Sequence, residues 1–299
     1  MTFAKACKLT EDQARQHLES LRWPNGAICV HCGSEDVCKL DGKATRPGVY
    51  KCRERGCRRQ FTVTVGTIFE RSHIPLNKWV MAFCLVCSSK KGISALQLQR
   101  MLDLGSYKSA WHMAHRIRHA MQNEPLRTLL GESGGIVEAD ETWIGPRKRG
   151  GGYNWIENKT AVMALVERNG KMRTRVIGRV TKDNLRTALD DIVDKSATLH
   201  TDELQAYKKL GPAFKKHETV CHSKGEYARG DVHCNSAESF FALLKRGIHG
   251  TFHAVGKQHL GRYADEFSFR WNHRKVSDGQ RTEAALRLAP GCRLTYCTA

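Results

Sequence analysis

The stretch Gly134–Gly145, GGIVEADETWIG, decides the fold of this 299-residue chain. Its apolar residues lead to a carboxylate, Asp140, and the segment closes on glycine. A short apolar run that ends at glycine is typical of a buried strand. An Asp at the carboxyl end of such a strand lies where α/β sheets usually carry their ligand sites. The stretch therefore predicts a sheet strand with Asp140 as a candidate functional residue.

Two later stretches carry acidic residues in comparable settings. LHTDELQAY places Asp202 at the end of a predicted strand, and HCNSAESFFALLKRG places Glu238 on a predicted helix. Lys245 follows Glu238 by seven positions, close to two helical turns, so the two side chains point the same way. Carboxylates from three separate elements can hold two divalent ions, and a lysine beside them can bind a phosphate. We therefore expect Asp140, Asp202, Glu238 and Lys245 to form one site.

Other residues compete for the same role. Hard cations such as Mg²⁺ or Mn²⁺ prefer oxygen ligands, so any nearby carboxylate is a candidate ligand. The alternative for each acidic residue is a solvated or salt-bridged surface group. Carboxylates packed this closely repel one another, so without metal they are expected to be partly protonated. Glu138 shares the strand face of Asp140, Glu141 and Glu203 lie on the opposite face, and Asn235 precedes Glu238 by about one helical turn.

Four cysteines in the first sixty residues have the spacing of a zinc site. Cys29 and Cys32 form a CxxC pair followed by glycine, and Cys52 and Cys57 follow after enough chain for a β-hairpin. Two such pairs supply the four thiolates of a tetrahedral Zn²⁺ site. The metal would hold together a segment too small to form its own core. We interpret a second CxxC, in the apolar helical run WVMAFCLVCSS, as core packing.

The composition is strongly basic. Forty-nine Lys and Arg against thirty Asp and Glu give a formal charge of +19, spread through the whole chain. Such an excess favours a polyanionic partner, with nucleic acid ahead of an anionic membrane surface. The sequence has no apolar run of membrane-spanning length and no signal-peptide core, so we expect an intracellular protein that does not enter a membrane.

Helices dominate the region between the cysteines and the first acidic stretch. An amphipathic helix is predicted over residues 8–22 and three more between Leu76 and Met121. The last two, ISALQLQRML and KSAWHMAHRIRHAM, are joined by the turn DLGSY, which is helix-turn-helix spacing, although an ordinary three-helix packing unit is the alternative. The polar side of the final helix carries the candidate DNA contacts, mainly to phosphates: Lys108, His112, His115, Arg116, Arg118 and His119.

The remainder predicts a mixed α/β domain. Three strands, with a hairpin turn at Asn169 and Gly170 and a Gly-rich basic loop over residues 146–160, are followed by helix, strand, helix, strand and helix. This is the element order of a ribonuclease H-like domain. We therefore expect an α+β multidomain protein with an N-terminal helix and zinc ribbon over 1–70, a helix-turn-helix-like DNA-binding domain over 71–125, and a ribonuclease H-like catalytic domain over 132–299.

Several blocks of the sequence resemble one known family. They are RWPNG, YKCRERGCRRQFTVTVGTIFE, VEADETWIG, HTDELQAY and the long HCNSAESFFALLKRGIHGTFHAVGKQHLGRYADEFSFRWNHR. Together they are similar to the DDE transposases of bacterial insertion sequences that carry an N-terminal zinc ribbon, the ISXO-type group related to eukaryotic Merlin elements. The resemblance runs through nearly the whole chain.

The resemblance implies a role for each matching residue. Asp140 and Asp202 would be the first two Mg²⁺ ligands, and Glu238 the third, a position at which some members of the group have Asn. Lys245 corresponds to the basic residue after the triad, and with its neighbour Arg246 it is expected to contact DNA. The implied zinc ligands are Cys29, Cys32, Cys52 and Cys57.

The implied function is DNA transposition. Such a transposase binds the terminal inverted repeats of its element, cuts the DNA in a metal-dependent step and joins the freed end to target DNA. It acts as a dimer or larger assembly in the cytoplasm, on the bacterial nucleoid. Two alternatives remain at this point: a catalytically inactive zinc-ribbon DNA-binding protein derived from a transposon, which the intact acidic positions argue against, and a nuclease that cleaves without joining.

Overall fold

The computed structural model describes residues 1–122, 128–146 and 158–295, and these residues fall into two compact units. Met1–Glu124 and Lys275–Ala299 form the first unit, and Pro125–Arg274 form the second. The residues predicted as separate zinc-ribbon and helical domains therefore share one unit. The third predicted domain was expected to run to residue 299, whereas Lys275–Ala299 group with the first unit. Most of the Gly-rich basic loop lies outside the described residues.

The first unit opens with two helices, α1 (Phe3–Ala6) and α2 (Glu11–Arg22). The predicted amphipathic helix is confirmed as α2. Thr10 and Gln13 form a reciprocal capping box at its start, so two backbone N–H groups that the helix leaves unpaired are satisfied. Ala14 and Leu18 are buried on one side of the helix.

A small antiparallel sheet follows, ordered β1-β2-β3. Its strands are β1 (Val37–Lys39), β2 (Tyr50–Cys52) and β3 (Gln60–Phe61). Three aromatic rings pack against one another beside it, with centroids of Trp23 and Tyr50 5.5 Å apart and those of Trp23 and Phe61 5.8 Å apart. Strands this short do not make a stable sheet by themselves, so the ribbon needs further support.

The helical part of the first unit contains the three predicted helices and one more. They are α3 (Leu76–Ser88), α4 (Ala95–Met101), α5 (Tyr107–Gln122) and, from the end of the chain, α10 (Asp278–Arg287). α3 is the central helix, and α10 packs directly against it. Cys84 and Cys87 are buried in α3, as expected for core packing.

The second unit is built on a five-stranded mixed sheet with β4, the strand that carries Asp140, at its centre. The strands are β4 (Ile136–Ile144), β5 (Thr160–Glu167), β6 (Met172–Ile177), β7 (Thr198–Thr201) and β8 (Lys216–Thr219), in the spatial order β6-β5-β4-β7-β8. β4, β5 and β6 pair antiparallel, and β7 and β8 add to the other side in parallel. Asn169 has φ of 63° in the β5–β6 connection, and the Gly170 N–H closes the turn onto the Glu167 carbonyl at 3.1 Å.

Helices cover both faces of this sheet. They are α6 (Lys182–Ile192), α7 (Gln205–Leu210), α8 (Asn235–Gly247) and α9 (Leu260–Asn272), in the order the sequence predicted. Val137 and Ala139 belong to the core that includes α6 and α7, whereas Ile144 belongs to the core that includes α8 and α9. Because side chains alternate along a strand, the even-numbered residues of β4, including Asp140, face α8. No helix among the described residues is long and apolar enough to cross a membrane.

Candidate active site and zinc centre

The four predicted cysteines of the first unit lie together. All four sulfur atoms are within 4.8 Å of one another, with 3.7 Å between Cys29 and Cys57 and 3.6 Å between Cys32 and Cys52. Disulfide sulfurs would be about 2.05 Å apart. A tetrahedral Zn²⁺ with Zn–S bonds of about 2.3 Å requires sulfurs about 3.8 Å apart. The donor set and its dimensions therefore fit Zn²⁺.

Backbone turns position these thiols. The Cys29 N–H donates to the Ser34 carbonyl, and the Gly33 N–H donates back to the Cys29 carbonyl, both at 2.9 Å. Gly33 has φ of 78°, which explains why glycine follows the CxxC pair. Cys52 ends β2, and the Cys57 N–H closes a second turn onto Glu54 at 3.0 Å.

Strand register brings the first two predicted carboxylates of the second unit together. β4 and β7 run parallel, and Glu138 is paired with His200. Two residues further along each strand, this register reaches Asp140 and Asp202. Neighbouring strands are about 4.8 Å apart, so both side chains come to the same edge of the sheet. A Leu204 N–H donates to the Asp202 carboxylate at 3.0 Å and orients it.

Glu238 approaches Asp140 from α8. Burial raises the pKa of the Asp140 carboxyl to about 7, and the negative charges of Asp202 and Glu238 contribute to the rise. A hydrogen bond of 2.8 Å from the Glu141 N–H opposes this shift in part. The pKa of Asp202 is also raised, chiefly by burial and then by Glu203. The charges of Asp202 and Glu238 are thus both close enough to act on the Asp140 carboxyl.

These carboxylates are more widely spaced than the cysteines. Within the described ranges, the cysteines form the one group of three or more metal-binding side chains whose ligand atoms all lie within 4.8 Å of one another. No three of the acidic residues reach this compactness within the described ranges.

Glu138, the alternative candidate on the same strand face, makes hydrogen bonds that give it a different role. It is fully buried and accepts hydrogen bonds from the backbone N–H and hydroxyl of Ser236, at 2.8 and 3.1 Å. The Ala237 N–H is 3.4 Å away, and Arg168 donates to the same carboxylate at 3.2 Å. Glu138 thus binds the first turn of α8, immediately before Glu238, where a negative charge also favours the helix dipole.

The other two alternative carboxylates also accept hydrogen bonds from neighbouring residues. Glu141 is buried on the opposite face, where it accepts a hydrogen bond from the buried Tyr207 hydroxyl, and burial raises its pKa to about 8. Glu203 accepts the N–H groups of His222 and Ser223 at 2.8 and 3.0 Å, and these bonds lower its pKa to about 2. Asn235 is the exposed first residue of α8.

His222 is a residue of this site that the sequence analysis missed. Its Nε2 lies 3.8 Å from the Glu238 carboxylate, and the ring also acts electrostatically on Asp140 and Asp202. His222 lies in the loop after β8, so no strand or helix pattern in the sequence points to it. The one local signal was its position in HSKGEYARG, a short stretch dense in polar, basic and aromatic residues.

The two predicted basic residues of α8 are both exposed in its last turns. Lys245 lines a cleft of about 590 Å³ together with Trp143, Lys159 and His249. A cation at this position can bind a phosphate, while Arg246 lies next to it on the helix surface.

The predicted DNA contacts on α5 are only partly accessible. Lys108 is exposed and His112 half-buried, but Arg116 is buried and donates to the carbonyls of Ile68, Glu70 and Leu294. The prediction that Arg116 contacts DNA is therefore wrong, because its guanidinium joins three segments of the first unit. His115 and Arg118 are buried as well.

Known proteins resemble both units. Residues 132–272 match the ISXO2-like transposase domain, and residues 9–60 match the transposase zinc-ribbon domain. The chain is also 31% identical over 280 residues to an uncharacterized protein in transposable element ISH50 of Halobacterium salinarum, across 88% of this chain and 91% of that protein. The two matched domains and this relative place the chain among proteins of mobile genetic elements. The chain belongs to the family of ISXO2-like transposases of insertion sequences that carry a zinc ribbon.

Proposed function

We propose that this transposase cuts DNA at the terminal inverted repeats of its element and joins the freed end to target DNA. The observation that carries the proposal is the convergence of Asp140, Asp202 and Glu238 from a central strand, a neighbouring strand and a helix. These residues would hold two Mg²⁺ or Mn²⁺ ions, which supply charge neutralisation and an activated oxygen when bound.

The topology supports this assignment. Three antiparallel strands followed by two parallel ones, with helices on both faces, is the arrangement expected of a ribonuclease H-like domain. In such a sheet Asp140 lies on the central strand and Asp202 just beyond the adjoining one. The rigid sheet and the anchored start of α8 hold the carboxylates in place, so positioning and charge neutralisation provide most of the rate enhancement.

The rest of the chain supplies DNA contacts. Lys245 and Arg246 would bind backbone phosphates near the acidic site, and α4 with α5 would form a helix-turn-helix in which Lys108 and His112 meet the DNA. The zinc ribbon would give a second contact surface. We expect dimers or larger assemblies on paired DNA ends, and activity in the cytoplasm where the genome lies.

The test compares variants of the purified full chain. Asp140→Asn preserves side-chain size and removes the charge, whereas Asp183→Asn, on the exposed first turn of α6, is the matched control. With Mg²⁺ and DNA carrying the terminal repeats, we expect the parent and the control to nick and join DNA and Asp140→Asn to lose at least a hundredfold in rate. An Asp140→Asn protein as active as the parent would contradict the proposal.

Two further measurements separate the alternatives. A DNA-binding relic without chemistry would show no Mn²⁺ binding that disappears in Asp202→Ala. A nuclease would release nicked DNA but give no joined product in a strand-transfer assay with a pre-cut end. We expect both Mn²⁺ binding that depends on Asp202 and a joined product.

A further inference from the structure

The loop over residues 221–232, here called the β8–α8 loop, presents an exposed aromatic residue near the acidic site. Tyr227 is 64% exposed, the largest value among the exposed large hydrophobic residues in the described part of the chain. Lys224 in the same loop is also exposed. An exposed tyrosine is unremarkable by itself, so its surroundings decide what it means.

Several contacts hold this loop to its own unit. Glu203 accepts the N–H groups of His222 and Ser223, and within the loop itself Glu226 accepts the Cys221 N–H at 3.1 Å. Further along, Arg229 donates to the Thr219 carbonyl at 3.2 Å. The loop is therefore fastened at its start and beyond Tyr227, so that the ring is displayed from a supported backbone.

The exposed ring of Tyr227 connects to the acidic residues through His222. The ring centroids of Tyr227 and His222 are 5.3 Å apart with planes inclined by 37°, and His222 lies 3.8 Å from Glu238. Two aromatic side chains thus extend from Glu238 outward to solvent. The face of such a pair can receive another flat ring, since offset packing of aromatic rings is favourable.

The charges nearby limit which flat ring could bind. The carboxylates repel a polyanion unless cations are bound, so DNA near this site needs attractive contacts beside it. Lys224 supplies a positive charge, and an aromatic face stacks on a nucleobase of any sequence. A nucleotide next to the phosphate that is cut offers both a negatively charged phosphate for Lys224 and a flat base for the aromatic face.

We propose that His222 and Tyr227 form a stacking platform for the base of the nucleotide adjoining the scissile phosphate. Lys224 contacts the sugar–phosphate backbone of the same nucleotide. This inference rests on the proposed function, because it takes the acidic site to be the place of strand cleavage. The ligand is a DNA base whose face is free, as in an unpaired or terminal nucleotide. Tyr227 is a binding residue here, and the carboxylates perform the chemistry.

The experiment is a thermodynamic cycle between Tyr227 and that base. A duplex ending at the cut, blocked by a dideoxy terminal nucleotide, is made with either a normal or an abasic terminal residue. The binding affinities of the parent, Tyr227→Ala and Tyr227→Phe are measured in Mg²⁺. Tyr107→Ala, an exposed tyrosine of the first unit, is the control.

We expect Tyr227→Ala and the abasic residue each to weaken binding by about fivefold to a hundredfold, the range typical of one stacked base. Combined, they should weaken it no further, because they remove the same contact. Tyr227→Phe should retain the affinity, since it keeps the ring. The Tyr107→Ala protein should respond to the abasic residue as the parent does.

Position is checked by photo-crosslinking. A 5-iodouracil at the terminal nucleotide should crosslink to the peptide that contains Tyr227, and the same base placed ten nucleotides inward should not. Additive effects in the cycle, a crosslink elsewhere, or a Tyr227→Ala protein that changes its oligomeric state instead of its affinity would overturn the inference. If the parent cleaves in an Asp140-dependent manner, such results reject the stacking platform alone; if it shows no cleavage, the proposed function itself is rejected.

Discussion

Asp140 is a buried acid with two acidic neighbours, and this arrangement has an energetic cost when no cation is bound. Its pKa is raised from 3.8 to about 7. Well below pH 4 the carboxyl is protonated in the folded and the unfolded chain alike. As the pH rises towards 7, the unfolded chain loses this proton first, so the folded state becomes progressively less stable. The raised pKa of Asp140 therefore lowers the free energy of unfolding at neutral pH.

Asp140→Asn should therefore stabilise the second unit in the absence of added divalent ions. A shift of this size corresponds to a few kcal/mol at most, so we expect a melting temperature several degrees above that of the parent at pH 8. The gain should shrink as the pH falls towards 4. Calorimetry at a series of pH values checks this, and a gain that does not depend on pH would contradict it.

Glu138 offers a second prediction, because its carboxylate holds the start of α8. Glu138→Gln keeps the shape but replaces one acceptor oxygen with a donor that faces N–H groups. We expect a lower melting temperature, with a loss of about 3–5 kcal/mol for an unpaired buried partner, together with a higher Mn²⁺ concentration for half-maximal cleavage. Arg168 would be left near an uncharged group.

The control for Glu138 is an exposed ion pair of the same unit. Asp190 pairs with Lys195 on the surface, so Asp190→Asn should change stability by no more than about 1 kcal/mol. If Glu138→Gln matched this control in both stability and Mn²⁺ response, the anchoring role would be wrong.

At the residue scale, the sequence predicts where a side chain lies when its chemistry and the strand period point to the same place. Asp140 and Asp202 follow apolar strands, and the structure brings their carboxylates together. The sequence does not show which of Glu138 and Asp140 belongs to the site, because both side chains are on the same face of the strand. The contact that distinguishes them is the hydrogen bond of Glu138 to the start of α8, between residues about a hundred positions apart. Arg116 was misassigned because a helical pattern does not reveal which carbonyls a buried guanidinium meets.

The zinc ribbon is an element whose stability depends on its metal. Its strands contain two or three residues each, too few to persist without a cross-link. Chelation of Zn²⁺, or Cys52→Ser, should increase hydrogen exchange from Cys29 to Phe61 and weaken DNA binding. The strands β4 to β8 should exchange as before.

The matched variant for the ribbon is Cys7→Ser, which alters an exposed cysteine of the same unit. It should leave both exchange and DNA binding unchanged. Increased exchange in β5 after chelation would show that the two units do not unfold separately, contrary to this prediction.

Element prediction worked best for local patterns. The capping residues of α2 and the order of strands and helices in the second unit are visible in short windows of sequence, because caps and periods are local. The position of α10 is different. The sequence analysis did not predict it as a separate helix, and only its packing on α3, almost two hundred residues earlier in the chain, assigns it to the first unit.

The charge of the whole molecule determines how it meets DNA. With a formal charge of +19, binding to DNA should release many counterions. We expect affinity for an unrelated duplex to fall by about a thousandfold or more between 50 and 200 mM salt. Replacing Lys245 with Ala should reduce the slope of log affinity against log salt by about one, if it contacts a phosphate. An affinity that is insensitive to salt would contradict this.

The first unit is assembled from two distant parts of the chain, and this arrangement governs its biosynthesis. A ribosome must complete the 125–274 segment before it makes α10 and the Leu294 carbonyl that Arg116 binds. The unit that carries the zinc ribbon therefore reaches its finished state after the acidic centre has already been translated. A nascent polypeptide released early would hold the cysteines and the three carboxylates yet leave one side of α3 bare, and such products are expected to be targets for proteolysis.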